Sequence, residues 1–371
     1  MDAALSEHCN QRLLYKDHVQ PVVTNFLLGN NATVFAYGVT GSGKTYSLIG
    51  VPDTDERGSI PRALEDLFAF VEKNSTPTLK YTVKVSYAQI HNETIMDLQR
   101  PNNNNLKVLE NREKGTHVQG LSEVAITSPS DIYDIIRRGH LIRTAANKGT
   151  SSLNRSHTVL TVLLQAREVT DEDVTVIDGH LNLSSTSSFF NQSAPISTGK
   201  SPRPHLTRVA RLNFVDLAGS EKLKEGSSRG VSSDSQIVVK SFTAIANIIS
   251  FLGRKGSHLP YRDCKLTHML KDSLSEHCSW LFLMALVTHS EHFSDTLATL
   301  KYGSRLRAAG DSLEMAMASG KINDTVHSAA SSSYLGHSPP KRPMRPSPTK
   351  STLEREEELA SYDSNYDRPM S

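Results

Sequence analysis

Asn31-Ala-Thr-Val-Phe-Ala-Tyr-Gly38 runs directly into Gly38-Val-Thr-Gly-Ser-Gly-Lys44-Thr45, and this passage decides the reading of the whole chain. Its first half predicts a short buried strand, because Val34 and Phe35 lie in a mostly apolar run bounded by Gly29 and Gly38. Its second half is a complete G-x-x-x-x-G-K-T, and Thr45-Tyr-Ser-Leu-Ile can continue as a helix. Polyphosphate binding needs that order of parts. Glycines let the backbone curl so that successive N–H groups face an anion, and the start of a helix adds partial positive charge. In such a loop Lys44 reaches the β- and γ-phosphates, and the Thr45 hydroxyl faces Mg²⁺. With Gly at about 7% of residues, chance supplies the eight-residue pattern in roughly one chain in a hundred of this length. The flanking strand and helix make chance the poorer explanation, so nucleoside triphosphate binding is the expectation.

The 371 residues suffice for a substantial core, in one large domain or two. Lys and Arg number 41 against 39 Asp and Glu, a net charge of +2. No overall field therefore marks a nucleic-acid or membrane binder, and any basic partner site must be local. No apolar run reads as a bilayer span, and Met1-Asp-Ala-Ala-Leu-Ser-Glu7 carries no basic-then-apolar signal. Cys9, Cys264 and Cys278 are far apart, which argues against a disulfide framework or a zinc site and fits a reducing compartment. The histidines show no metal-ligand spacing.

Apolar strand-like runs alternate with amphipathic helical runs over residues 11–310, the pattern of an α/β layered fold. Residues 60–71 read as a helix with Pro61 in its first turn, and 81–87 alternate as a strand. Short strand-like pieces follow near 106–109 and 117–121, then a helix through Ile132, Ile135 and Ile136, then strands over 158–164 and 209–215. Between the last two lies a Ser-, Thr-, Asn- and Pro-rich stretch, within about 170–207, that reads as a flexible insertion. Val238, Phe242, Ile245, Ile249 and Leu252 recur at helical spacing and predict one long helix with an apolar stripe. Residues 280–287 form a continuous apolar run, expected to be a buried strand, and Phe293, Leu297 and Leu300 mark a last helix. From about Asp311 the pattern dissolves, so 311–371 is expected to be a disordered tail.

Leu212-Asn-Phe-Val-Asp216-Leu-Ala-Gly219-Ser-Glu221 reads as a strand that delivers an acidic residue and then a glycine. In nucleotide switches such an Asp supports Mg²⁺ and such a glycine N–H senses the γ-phosphate. Taken with 35–45, Asn154-Arg-Ser-His157 and Leu259-Pro-Tyr-Arg-Asp-Cys-Lys-Leu-Thr267, this segment makes the chain closely resemble the kinesin motor domain from about residue 11 to 307. A small GTPase-like switch shares the phosphate loop and D-x-x-G but calls for an Asn-Lys-x-Asp motif that is not found here.

The resemblance implies an α/β fold of P-loop NTPase type, with a central, mostly parallel twisted sheet and helices on both faces, occupying residues 1–310. It implies microtubule-stimulated ATP hydrolysis coupled to microtubule-based movement, with ATP and Mg²⁺ as cofactors, microtubules as partner, and a cytoplasmic, cytoskeletal location. Gly38, Val39, Thr40, Gly41, Ser42, Gly43, Lys44 and Thr45 would hold the nucleotide, with Thr45, Asn154 and Asp216 around Mg²⁺. Arg155, Ser156, Asp216, Gly219 and Glu221 would be the switch residues that carry catalysis, Arg155 pairing with Glu221 when the site closes around ATP. The tubulin side would be the helix 235–253, the loop 253–258 and the segment through Lys265 and Lys271, with Arg254, Lys255, Arg262 and Lys265 as its cations. No sustained heptad repeat appears, so the chain is expected to be a monomer, and no nucleic-acid partner is expected.

Three departures from the family pattern weigh against full activity. Only about 37 residues precede Gly38, and the Arg-x-Arg-Pro adenine contact and its edge strands are not among them. Their lack would expose a strand edge. At the first switch Leu153 and Asn154 stand where the family has hydroxyl residues; Ser151 and Ser152 lie nearby, and the spacing leaves open which of them fills that place. Val239 replaces a usual asparagine, although Lys240 and Ser241 remain. These replacements carry the alternative expectation of a catalytically weakened or inert relative that acts as a tether or regulator.

Overall fold

The computed structural model describes residues 2–111, 115–146, 154–168, 176–177, 180–181, 207–221, 233–252, 254, 258–276 and 278–318. All belong to the first of two compact units, Met1–Ile322; the second, Asn323–Ser371, lies outside the described residues.

Strand β1, Ala32–Tyr37, is buried at all six positions. Its alternation sends Ala32, Val34 and Ala36 into one core layer and Phe35 and Tyr37 into the other. Around it a seven-stranded sheet runs β11-β1-β10-β7-β2-β3, with β6 also paired to β2. These strands are β2 (Leu79–His91), β3 (Thr94–Asp97), β6 (Val124–Ile126), β7 (His157–Glu168), β10 (Thr207–Asp216) and β11 (Ser279–Met284). Two short ladders stand apart, β4 (Val108–Asn111) with β5 (Gly115–Val118) and β8 (Val176–Ile177) with β9 (His180–Leu181). Strands β1, β10 and β11 pair in parallel, while β7, β2, β3 and β6 are joined by antiparallel pairs. The sheet is therefore mixed: four of its seven strands share one direction, and the parallel pairing is concentrated where the phosphate loop leaves it.

Helices cover both faces. On one lie α1 (Gln11–Leu14), a π turn (Tyr15–Val19), α2 (Gln20–Leu27), α4 (Ser59–Asn74) and α5 (Asp131–Ala146), contributing Phe26, Leu64, Leu67 and Ile132. On the other lie α6 (Ser233–Leu252), α7 (Lys265–Met269) and α8 (Phe293–Ala318), contributing Phe242, Ile245, Leu266 and Leu306. Helix α3 (Lys44–Leu48) follows the phosphate loop. The π turn comes just before Pro21, which has no N–H to give the helical ladder. Fully burying each large apolar side chain in these layers contributes about 1.5–3 kcal/mol.

Three expectations need correction. The last helix does not end near residue 311; α8 continues to Ala318 because Leu313 still has a core to enter. Strand β11 stops at Met284 rather than 287, and its residues are half-buried rather than buried, since among the described strands it pairs only with β1 and forms a sheet edge. The window Ser235–Leu252 is long and apolar enough to cross a bilayer, contrary to the reading above, yet Ile245, Ile248 and Ile249 within it are core residues. Of the expected insertion 170–207, only 176–177, 180–181 and 207 are described.

The start of β7 is tied to the loop after β10 by His157, whose Nδ1 accepts the Ala218 N–H at 3.0 Å while its ring meets Phe242 edge-on. Burial, aided by the charge of Arg143, pushes the imidazole down to about 3. An unfolded histidine takes its proton near 6.5, so between about pH 6.5 and 3 the unfolded chain binds more protons and native stability falls as pH drops. The melting temperature is therefore expected to fall from pH 6.5 to 5, with a shallower fall in His157→Asn; equal slopes in the two proteins would contradict this assignment.

Candidate nucleotide site and basic surface

Parallel pairing sets Ala36 opposite Asp216, so the chain leaves β1 and β10 at the same sheet edge. In open α/β sheets that edge, at the carboxyl ends of neighbouring strands, is where ligands collect. Two backbone bonds fasten the emerging loops together: Leu217 N–H to Ala36 O at 3.1 Å, and Ser220 N–H to Gly38 O at 3.1 Å. Gly38 has no alternative, because a Cβ there would collide with the Ala285 carbonyl and the Ser42 hydroxyl. All eight expected nucleotide-binding residues, from Gly38 to Thr45, lie in this loop and the first turn of α3.

Lys44 is buried and turns back on its own loop, donating from Nζ to Gly38 O at 3.0 Å and Val39 O at 2.7 Å. Burial pulls its pKa down, opposed by the charges of Asp216 and Glu221. Thr45 Oγ1 donates to Asp216 Oδ2 at 2.5 Å. Burial pushes the Asp216 carboxyl up, against the pull of Thr45, Lys44 and Arg143. Among the described residues, Asp216 Oδ1 is shielded from solvent without a hydrogen-bond partner. A buried carboxylate oxygen left in this state costs free energy that a cation or donor would recover.

The two expected switches meet through their main chains, Gly219 N–H donating to Asn154 O at 2.9 Å. Asn154 is exposed and Arg155 half-buried, while Ser156 is buried and accepts from Arg143 Nη2 at 3.0 Å. Glu221 engages the phosphate loop: its Oε2 accepts the Thr40 N–H at 3.0 Å and its Oε1 the Thr40 hydroxyl at 2.7 Å. Gly219 permits this approach, since a Cβ there would strike both the Glu221 carboxylate and Thr40 Oγ1. Leu153 lies outside the described residues; Val239 is exposed on α6, and Ser241 is buried with its hydroxyl on Ile237 O. Sequence reasoning missed Arg143. Its only signal was a basic residue in the last turn of α5.

Of the four expected cations, Lys255 lies outside the described residues. Arg254 is exposed just beyond α6, its guanidinium 5.3 Å from the Phe251 ring centre. Arg262 donates from Nη2 to Glu110 Oε1 at 3.1 Å, where His268 Nε2 also lies at 2.9 Å, and Lys271 bonds the other oxygen. The Lys271, His268 and Arg262 bonds hold the Glu110 carboxyl down at about 2. Lys265 is half-buried and its backbone N–H donates to Glu93 Oε2 at 2.8 Å. The basic segment is thus real but partly countered by Glu110, 152 residues before Arg262 and joined to it by no local pattern, whereas Glu93 meets only the Lys265 backbone.

The family model described as the kinesin motor domain matches residues 1–309. The kinesin heavy chain of Neurospora crassa is 33% identical over 312 residues, covering 83% of this chain and 30% of that protein. Kinesin-related protein 3 of Dictyostelium discoideum is 34% identical over 313 residues, covering 82% of this chain and 23% of that protein. A solved structure described as "Structure of a fast kinesin: Implications for ATPase mechanism and interactions with microtubules" aligns with a TM-score of 0.66 and 31% identity, over 83% of this chain and 78% of that one. The chain spans less than a third of the length of these two curated relatives. The family model covers most of this chain and relatives match it at more than 30% identity over four fifths of its length: the chain belongs to the kinesin motor domain family.

Proposed function

We propose that this chain binds ATP with Mg²⁺ at the loop 38–45 and couples its hydrolysis to microtubule-based movement. The observation that carries the reading is the Thr45–Asp216 pair, a hydroxyl and a carboxylate 2.5 Å apart beside a buried lysine, with the second Asp216 oxygen shielded and without a partner among the described residues. That donor set fits a Mg²⁺ ion, which is usually held by one or two protein oxygens together with phosphate. Among the described residues no three His, Cys, Asp or Glu side chains cluster, so the phosphates themselves would complete the shell. Mg²⁺, when bound, would neutralise the charge that develops on the phosphates.

The chain's own groups then have distinct tasks. Lys44 exchanges two carbonyls for phosphate oxygens, which are stronger acceptors for a cation. Thr40 is released from Glu221, freeing an N–H and a hydroxyl for the phosphates. Gly219 exchanges Asn154 O for the terminal phosphate, and this exchange transmits the nucleotide state from one switch to the other. Glu221, once free, is available to Arg155. Arg254, Lys255, Arg262 and Lys265 would meet the acidic tubulin surface and speed encounter with it. The competing reading is an inert, microtubule-bound tether, favoured by Leu153 and Asn154 where hydroxyls are expected, with the Asn154 contact made by its main chain.

Phosphate release with and without microtubules tests the choice. The motor reading predicts microtubule-stimulated release that falls at least tenfold in Lys44→Ala, about 1.4 kcal/mol of barrier. Release equal to Lys44→Ala in both conditions, with co-sedimentation indifferent to ATP or ADP, selects the tether. In addition, Glu221→Ala removes the carboxylate that competes for Thr40, so Mg-ADP should bind about three- to tenfold tighter, roughly the worth of one hydrogen bond, while hydrolysis slows. Unchanged or weaker Mg-ADP affinity in that variant would contradict the competition.

A further inference from the structure

Trp280, Thr33, Asn213 and Thr161 stand side by side in register on β11, β1, β10 and β7. The two-residue repeat places them on the face that also carries Phe35, Val215 and Val159, beneath α6, α7 and α8. At the centre, Asn213 is 3% exposed and its amide is fully used. Nδ2 donates to Ser273 Oγ at 2.9 Å and Thr33 Oγ1 at 3.2 Å, and Oδ1 accepts from Thr161 Oγ1 at 2.8 Å. An apolar side chain would serve simple packing there, and a buried amide survives only because every bond is satisfied.

Ser273 ends the 3₁₀ turn Lys271–Ser273, and the bonds around it fasten that turn to the sheet. The Ser273 carbonyl accepts from Trp280 Nε1 at 2.9 Å. The Asp272 carbonyl accepts from Asn31 Nδ2 at 3.1 Å, and Asn31 Oδ1 takes the Arg211 N–H at 2.9 Å. The opposite end of the turn is Lys271, bonded with Arg262 and His268 to Glu110. Hydrogen bonds are directional, so they fix one position of the turn where apolar packing tolerates sliding.

We propose that Asn213 and Ser273 are positioning residues that lock the basic segment 261–271 to β1 and β10, the strands that end in the phosphate loop and Asp216. A movement of those strand ends then carries the cations with it instead of dissipating in a loose joint. The proposed role in the motor cycle rests on the microtubule reading above; the mechanical lock does not.

Hydrogen–deuterium exchange and microtubule-stimulated hydrolysis, measured on the whole chain, test it. Ser273→Ala should raise exchange over 261–274 about tenfold, leave 38–48 within twofold, and be rescued by Ser273→Thr, which keeps the hydroxyl. It should also raise the microtubule concentration for half-maximal stimulation about fivefold, leaving kcat and the KM for Mg-ATP within twofold. Asn213→Leu should repeat the pattern; if it fails to fold, the Ser273 pair still decides. Exchange unchanged over 261–274, or raised equally everywhere, overturns the lock. Local loosening with an unmoved half-maximal concentration overturns its role in the cycle. A wild-type chain with no microtubule stimulation overturns the functional reading instead, and the exchange result still decides the lock.

Discussion

The parallel pairing of β1 with β10 is the constraint on which the rest depends. Their register places Ala36 opposite Asp216, and within a few residues of those positions the two strands give rise to the phosphate loop and the D-x-x-G loop. No side-chain contact could substitute for this. A one-residue slip would turn Asp216 to the other face and remove Thr45 from its reach. Strand β1 is buried at all six positions and residues 212–215 of β10 are buried between the two helical layers, which is why both stretches are largely apolar. Burial thus fixes the register, and the register places the chemistry.

At that edge most polar groups satisfy one another, with Asp216 Oδ1 the exception. Lys44 rests on its own loop's carbonyls, Thr45 on Asp216, Thr40 on Glu221, and Gly219 N–H on Asn154 O. The Gly219 bond, between neutral groups, is worth about 0.5–1.5 kcal/mol net, and those to the Lys44, Asp216 and Glu221 charges about 1.5–3 kcal/mol each. Under the proposed reading, a polyphosphate, with more negative charge than a carbonyl, would replace them one by one. In that reading the same exchange would release Glu221 and free the joint between the two switches, so that binding and conformational change would be one event. The exposed ion pairs on the basic surface follow a different rule: individually they contribute little, and their sum matters as a field.

Much of this was legible in the sequence because it is local. Gly38 to Thr45 announces itself by spacing, and the apolar runs around Phe35 and Phe214 by composition. Long-range geometry was less visible. The helical segment 11–27 carries a readable stripe in Tyr15, Val19, Val22 and Phe26 at four-three-four spacing, but nothing in that spacing shows the π turn over Tyr15–Val19. Arg143 and Glu110 act on residues from other elements, so no window of sequence contains both partners. Strand β11 has the composition of a buried strand, and only its position at the sheet's edge leaves it half-exposed. Asn213, an amide in an apolar run, looks like an interruption until Ser273 is seen above it.

Titration calorimetry of Mg-ADP into the folded chain, repeated after chelation of Mg²⁺, tests the central claim most directly. Saturable one-to-one binding that requires Mg²⁺ and weakens at least tenfold in Thr45→Ala is the expected result. No Mg²⁺-dependent heat up to about 1 mM nucleotide, a binding free energy weaker than about −4 kcal/mol, would contradict the account.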